Sequence, residues 1–243
     1  EIRPRDWSSD VCSSDLPDSY QYNIPSAVRL SGVLDYECFK ESIHAIIQRH
    51  SSLRTTFQDQ DGVPFQIIAP SLTIQIPLID LTYLPEGERQ EAVEQQILQS
   101  AQQIFNLSSG PLFLVHMIKT GPDEHIIVMV MHHIISDGWS SGVFVQELAE
   151  FYTHKITGTE ADLPDLPIQY ADFASWQRQW LQSEGYQQQL NYWKENLEGV
   201  STQLDLSTDR PRPVVQTSHG AHYTFSIPSD LLAGLKLAVI QKM

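Results

Sequence analysis

Two adjacent histidines, an aspartate and a glycine lie within seven residues of each other, and these residue types could carry acid–base chemistry. They are His132, His133, Asp137 and Gly138. An imidazole changes charge near neutral pH and can accept a proton from a nucleophile. A carboxylate four residues after His133 could orient that ring directly, or it could lock the loop through an arginine. Both roles remain open on the residues alone.

The element that must position these residues is the run before them. Residues 126–131 are all apolar, and the run is short, which is typical of a central strand buried on both faces. Because side chains alternate along a strand, His132 and His133 must point to opposite sides of the sheet. One histidine is then structural and the other is available for chemistry. A metal is not expected, because one histidine and Asp137 are too few ligands for zinc.

A helix is predicted directly after the motif. The turn Ser136–Gly138 breaks the strand, and Ser140 is predicted to cap a helix that runs to about Lys155. Gly158 is expected to end this helix. Its apolar face consists of Phe144, Leu148, Phe151 and Tyr152.

The other predicted elements follow from periodicity and turn signals. Asp35 is predicted to cap a helix whose apolar face carries Phe39, Ile43, Ile46 and Ile47. Alternation and helical spacing predict strands over 53–57, 63–68, 112–118 and 221–227 and helices over 86–105, 170–183, 186–197 and from 229 onward. The aromatic residues of the helices over 170–197 are interpreted as core and interface packing.

Composition excludes several classes of function. The chain has 243 residues, 41% of them hydrophobic, so it can bury a sizeable core. Its net charge of -15 argues against binding to nucleic acid, which requires a basic surface. It contains no apolar run of membrane-spanning length and no visible signal peptide, so no membrane association and a cytoplasmic location are expected.

Three sequence blocks carry a resemblance to a known family. Residues 132–138, His-His-Ile-Ile-Ser-Asp-Gly, match the HHxxxDG signature of chloramphenicol acetyltransferase-like acyltransferases. The longer form over 131–140, MHHIISDGWS, resembles the signature of condensation domains of non-ribosomal peptide synthetases. Residues 49–57 resemble the upstream RHExLRTxF block, with Ser51 in place of glutamate, and residues 170–176 resemble the downstream YxDFxxW block.

The resemblance implies an α/β fold, the chloramphenicol acetyltransferase-like two-layer sandwich that forms the first lobe of a V-shaped, two-lobed domain. Residues 17–205 are expected to form this N-terminal lobe, and 206–243 a linker and the start of a truncated C-terminal lobe. Residues 1–16 look like the translation of a sequencing adapter and are excluded from the fold. Truncation is expected at both ends.

The resemblance also implies a reaction: formation of an amide bond between a carrier-bound acyl or peptidyl thioester and a carrier-bound amine. His133 would accept or steer the amine proton, and Gly138 could offer its N–H to the oxyanion. Asp137 would be structural and pair with an arginine, for which Arg54 is the candidate. The residues expected to complete the motif are His132, Ser136, Trp139 and Ser140.

The implied partners are upstream and downstream peptidyl carrier domains and an adjacent adenylation domain. No cofactor is expected to bind directly, because the substrates are carried on phosphopantetheine. The intact pair His132–His133 argues against a heterocyclisation domain, and Asp-Gly-Trp-Ser at 137–140 argues against an epimerisation domain. This form most resembles domains that join two L-residues. A free-standing acyltransferase and a non-catalytic carrier-binding fragment are the alternatives.

Overall fold

The computed structural model describes residues 19–201, 207 and 224–240, and the side chains up to residue 238. The chain divides into two compact units, one ending at Gly199 and the other beginning at Val200. The proposed adapter segment lies outside the described residues, as does the linker over 206–213 apart from Ser207. The lobe boundary at 205/206 therefore stays a prediction.

A four-stranded sheet in the order β1-β6-β5-β4 forms the centre of the first unit. Its strands are β1 (Asn23–Ser31), β4 (Leu78–Asp80), β5 (Phe113–Gly121) and β6 (Glu124–His132). β6 lies between β1 and β5 and is antiparallel to both, whereas β4 runs parallel to β5. The side chains of β6 are buried along nearly its whole length, which confirms the prediction of a central strand buried on both faces.

Helices α1 (Tyr36–Arg49) and α3 (Gly138–Thr157) pack against each other and frame the histidine motif. Asp35 caps α1 by accepting a hydrogen bond from the N–H of Cys38 at 2.9 Å, as predicted. The predicted apolar face of α1 is buried: Phe39, Ile43, Ile46 and Ile47. A 3₁₀ turn (Ser51–Arg54) follows α1 where a strand was predicted to begin.

The remaining elements of the first unit surround this framework. They are the hairpin β2 (Thr55–Gln60) and β3 (Val63–Ile68) and the helices α2 (Glu86–Ala101), α4 (Tyr170–Trp180) and α5 (Glu184–Asn196). α2 ends earlier than predicted. The side chain of Asn23 donates to the carbonyls of Ala101 and Gln103 at 2.9 and 2.7 Å, which satisfies carbonyls that a longer helix would have used itself.

The aromatic side chains of α4 and α5 are not core residues, so the core part of the prediction is wrong, whereas its interface part stays a prediction. Neither helix has a buried residue, and the side chains instead stack along the surface of the unit. The sequence Tyr170, Phe173, Trp176, Trp180 and Tyr186 forms four consecutive ring pairs with centroids 5.4 to 6.2 Å apart.

The second unit is described chiefly through helix α6 (Ser229–Ile240), which begins at the residue where a helix was predicted to start. Residues 224–228 adopt no regular secondary structure, so the strand predicted over 221–227 is absent from the part of it that the structure describes. No helix of the described ranges is both long and apolar enough to cross a membrane.

Candidate active site

His132, the last residue of β6, is a buried side chain with a fixed hydrogen-bonding role. The N–H of Ile134 donates to His132 Nδ1 at 3.1 Å, so Nδ1 is unprotonated and the neutral ring carries its proton on Nε2. The rings of Tyr22 and Phe105 lie against it, with centroids 6.1 and 6.3 Å away. Burial, and secondarily the charge of His133, lowers the pKa of His132 to about 4.

His133 differs from its neighbour in that its side chain is exposed. Its backbone is fixed, because its N–H donates to the carbonyl of Tyr22 at 2.7 Å. Within residues 19–201 its ring nitrogens have no hydrogen-bond partner, which leaves both available to a substrate. Of the two adjacent histidines, His132 is therefore buried and His133 accessible.

The turn after His133 is fixed by buried side chains and by a backbone hydrogen bond. Ile134, Ile135 and Ser136 are buried, and the N–H of Ile135 donates to the carbonyl of His132 at 3.1 Å. The turn therefore leaves the sheet and enters α3 with His133 on the outside and its two isoleucines in the core.

Asp137, and not Ser140, is the N-cap of α3. Asp137 Oδ1 accepts from the N–H of Ser140 at 2.8 Å and from the Ser140 hydroxyl at 2.7 Å. Both residue types are good caps, but the cap at Asp137 adds Gly138, Trp139 and Ser140 to the helix. The N–H of Ser140, then its hydroxyl, and least of all the charge of His133, lower the pKa of Asp137.

The predicted ion pair between Asp137 and Arg54 is not formed. The Arg54 guanidinium donates to three backbone carbonyls, those of Ile47 at 3.0 Å, Gln48 at 3.3 Å and Ala69. Arg54 therefore joins the end of α1 to the residue after β3. The arrangement is physically reasonable because the planar guanidinium can satisfy several carbonyls at once at a helix C-terminus.

Gly138 is the first residue of α3, so its N–H has no carbonyl of the helix to bind. A Cβ built at this position would meet no atom within 4 Å, and the backbone has a conformation that any residue can adopt. The space beside Gly138 is thus open. An N–H in the first turn of a helix is suited to a developing negative charge.

Trp139 is 82% exposed and stands beside a pocket of about 210 Å³ between α1, the 3₁₀ turn and the start of α3. The polar lining residues are His50, Ser52, Ser136 and Ser140. The apolar ones are Ile46, Leu53, Met131, Ile135, Val143 and Phe144. The structure thus brings the C-terminal end of the motif onto a mainly apolar cavity.

A buried charge cluster below this pocket was not predicted. Glu147 of α3 is 5% exposed; it accepts from Arg49 Nε at 3.0 Å and from His50 Nε2 at 2.6 Å. Arg49 also donates to the carbonyl of Pro164. The available signal was a glutamate at helical spacing from Phe144 and Phe151, on the apolar face of the predicted helix.

The side chains of the described residues form no candidate metal centre. Within those ranges, no group of three or more histidine, cysteine, aspartate or glutamate side chains could hold a metal ion. The site consists of one accessible imidazole, a capped helix N-terminus and an apolar pocket.

An accessible histidine at the end of a central strand, followed by a capped Asp-Gly helix start, defines the HHxxxDG class of α/β acyltransferase folds. The model of the condensation domain family matches residues 11–241, and the chain belongs to this family. The predicted chloramphenicol acetyltransferase-like α/β fold is thereby confirmed.

Sequence relatives are peptide synthetases. The chain is 48% identical over 216 residues to a linear gramicidin synthase protein of Brevibacillus parabrevis, covering 89% of this chain and 3% of that protein. It is 38% identical over 215 residues to the phosphinothricin tripeptide synthetase PhsC of Streptomyces viridochromogenes, covering 88% of this chain and 20% of that protein. The chain thus spans only a small part of each of these relatives.

Solved structures agree with this assignment. The starter condensation domain of rhizomide synthetase RzmA superposes with a TM-score of 0.72 at 26% identity, covering 79% of this chain and 46% of that one. The SgcC5 protein from Streptomyces globisporus superposes with a TM-score of 0.66 at 26% identity, covering 81% of this chain and 44% of that one.

Proposed function

We propose that this chain contributes the histidine-bearing half of a site that forms a peptide bond between a carrier-bound acyl thioester and a carrier-bound amine. The observation that carries the proposal is the exposed ring of His133, with no protein partner in residues 19–201, in the same motif as Gly138, the first residue of α3. Membership of the condensation family and similarity to peptide synthetases support it.

The proposed reaction needs a proton acceptor. The amine nitrogen attacks the thioester carbonyl carbon, a C–N bond forms, and the C–S bond breaks. His133 accepts or steers the proton that the amine loses, and this proton ends on the thiol that leaves. The N–H of Gly138 would stabilise the oxyanion as the carbonyl carbon becomes tetrahedral.

His132 has a supporting role in this proposal. Its neutral ring accepts from the N–H of Ile134 and thereby fixes the backbone on which His133 stands. The cap at Asp137 fixes the other end of the same turn. Both residues position the reacting group without contacting the substrate.

The proposed substrates are carried on phosphopantetheine by two carrier domains, and an adenylation domain would load the acceptor. This assignment rests on the synthetases to which the chain is similar. Joining of two L-residues and a cytoplasmic location are the further assignments that the sequence motif and composition favour.

The test is His133→Ala in the intact synthetase from which the chain derives, with both carriers loaded. We expect amide formation to fall at least about a hundredfold, as loss of a general base predicts, with the melting temperature unchanged. Nearly full activity would exclude His133 as the proton acceptor. Ester formation on a free alcohol, without any carrier requirement, would instead favour a free-standing acyltransferase.

A further inference from the structure

The pocket beside the motif has the composition of a site for an apolar group. Six of its lining side chains are aliphatic, thioether or phenyl groups, and its volume is about 210 Å³. Binding pockets for small ligands are mostly apolar with a few polar groups that fix orientation. Because an apolar cavity of about 150 Å³ holds a benzene ring, this one can receive a branched aliphatic or aromatic side chain.

The pocket borders the chain segment that carries His133. Met131, the second-last residue of β6, lines it. Ser136 and Trp139, from the turn that carries the motif, also line the pocket. A group in the pocket would therefore be attached close to the atoms that react at His133.

Two of the four polar side chains of the lining are already engaged. His50 Nε2 donates to the buried carboxylate of Glu147, and the Ser140 hydroxyl donates to Asp137. No lining residue is an aspartate, glutamate, lysine or arginine. A charged side chain entering the pocket would lose its hydration without gaining a free counter-charge, which is unfavourable.

From this geometry we infer that the pocket receives the apolar side chain of the amino acid being joined, and that it selects for leucine- or phenylalanine-sized groups. The inference rests on the proposed function, since it takes the ligand to be an aminoacyl group. The same side chain could arrive on the donor thioester or on the acceptor amine, and the probes below separate these two sources.

The experiment is a titration of the full chain, followed by NMR. The donor probes are N-acetylcysteamine thioesters of N-acetyl-glycine, N-acetyl-aspartate and N-acetyl-leucine, whose blocked amines cannot act as acceptors. The acceptor probes are glycinamide, aspartamide with a free side-chain carboxylate, and leucinamide. We expect the leucyl probe of one series to bind at least about tenfold more tightly than its glycyl counterpart, and the aspartyl probe no more tightly than glycyl.

Variants on α3 connect this preference to the pocket. Val143→Trp fills the pocket and should remove the leucyl preference, whereas Val145→Trp, on an exposed position of the same helix, should leave it intact. Val143→Ala, which is tolerated in any helix, should weaken leucyl binding a few-fold and leave glycyl binding unchanged. Equal affinities in both series, or a preference that survives Val143→Trp, would overturn the inference.

Failure of this inference and failure of the proposed function are distinguishable. The titration measures binding alone and does not depend on amide formation. A leucyl preference together with full activity of His133→Ala would support the side-chain pocket and exclude His133 as the proton acceptor. Loss of activity in His133→Ala without any side-chain preference would support His133 as the proton acceptor and exclude the side-chain pocket.

Discussion

Glu147 Oε2 in α3 lies 2.6 Å from His50 Nε2 at the end of α1, and the two residues are 97 positions apart in the sequence. The other carboxylate oxygen accepts from Arg49. The buried carboxylate of Glu147 therefore connects α1 to α3, the helix that begins at the histidine motif.

Glu147→Gln is expected to destabilise the fold by about 3 kcal/mol, because Arg49 would keep its charge in a largely buried position without a partner. Urea unfolding measures this change. Glu150→Gln, one turn from it, is the control; Glu150 forms no ion pair within the described residues and should change stability by less than about 0.5 kcal/mol. Equal effects of the two substitutions would show that the cluster adds nothing.

Asp137→Ala is expected to destabilise the protein by about 1 kcal/mol, because the N–H and hydroxyl of Ser140 lose their acceptor. Asp137→Asn keeps an oxygen at the same place and should remain close to the parent. Thermal unfolding of the two variants, side by side, separates the cap from the charge. If Asn proves as harmful as Ala, the charge of Asp137 is what the turn requires.

His132 predicts a pH dependence of stability. Its pKa in the folded protein is about 4, below the ordinary value of 6.5, so between these values the unfolded chain binds a proton that the folded chain does not. Stability is therefore fully present above pH 6.5 and falls as the pH is lowered toward 4, by up to about 3 kcal/mol from this group. His132→Asn keeps an acceptor for the N–H of Ile134 but cannot be protonated in this range.

The measurement is the free energy of unfolding of both proteins at several pH values between 4 and 7. The variant should have the flatter curve. Burial also lowers the pKa of His116, so some decline should persist in the variant. Two parallel curves would mean that His132 does not resist protonation in the folded state.

Arg54→Met is expected to destabilise the fold by about 2 to 3 kcal/mol, because three carbonyls lose a charged donor. Arg54→Lys should recover only part of this loss, since an ammonium group cannot reproduce the guanidinium fork. In a double-mutant cycle, Arg54→Met and Asp137→Asn should be additive within about 0.5 kcal/mol. A larger coupling free energy would show that Arg54 and Asp137 interact, as the resemblance to the family implied.

Much of the site could be predicted because short-range patterns determine it. The apolar run before His132 specifies a buried strand, and strand alternation separates His132 from His133 whatever else surrounds them. Asp35 was identified as a cap because its helix has a clear apolar face. The cap of α3 was misplaced because Asp137 and Ser140 are both favourable caps, and glycine at 138 favoured a turn.

Long-range partners could not be predicted in this way. The position of Arg54 depends on carbonyls at the end of α1 and after β3, and no local pattern reports which carbonyls remain free there. The cluster of Glu147 depends on the packing of α1 against α3. The aromatic residues of α4 were interpreted as core and interface packing, because aromatic side chains are buried on average, but their content does not specify which surface buries them.

The surface stack on α4 has an optical consequence. Trp176 and Trp180 lie with ring centroids 6.2 Å apart and planes inclined by 16°, close enough for their electronic transitions to couple. Circular dichroism in the near ultraviolet should therefore contain a paired positive and negative band from this tryptophan pair. A molecule or domain that binds to this part of α4 would change the signal. The tryptophan pair is therefore an intrinsic spectroscopic probe of binding to α4, a helix that lies outside the histidine motif.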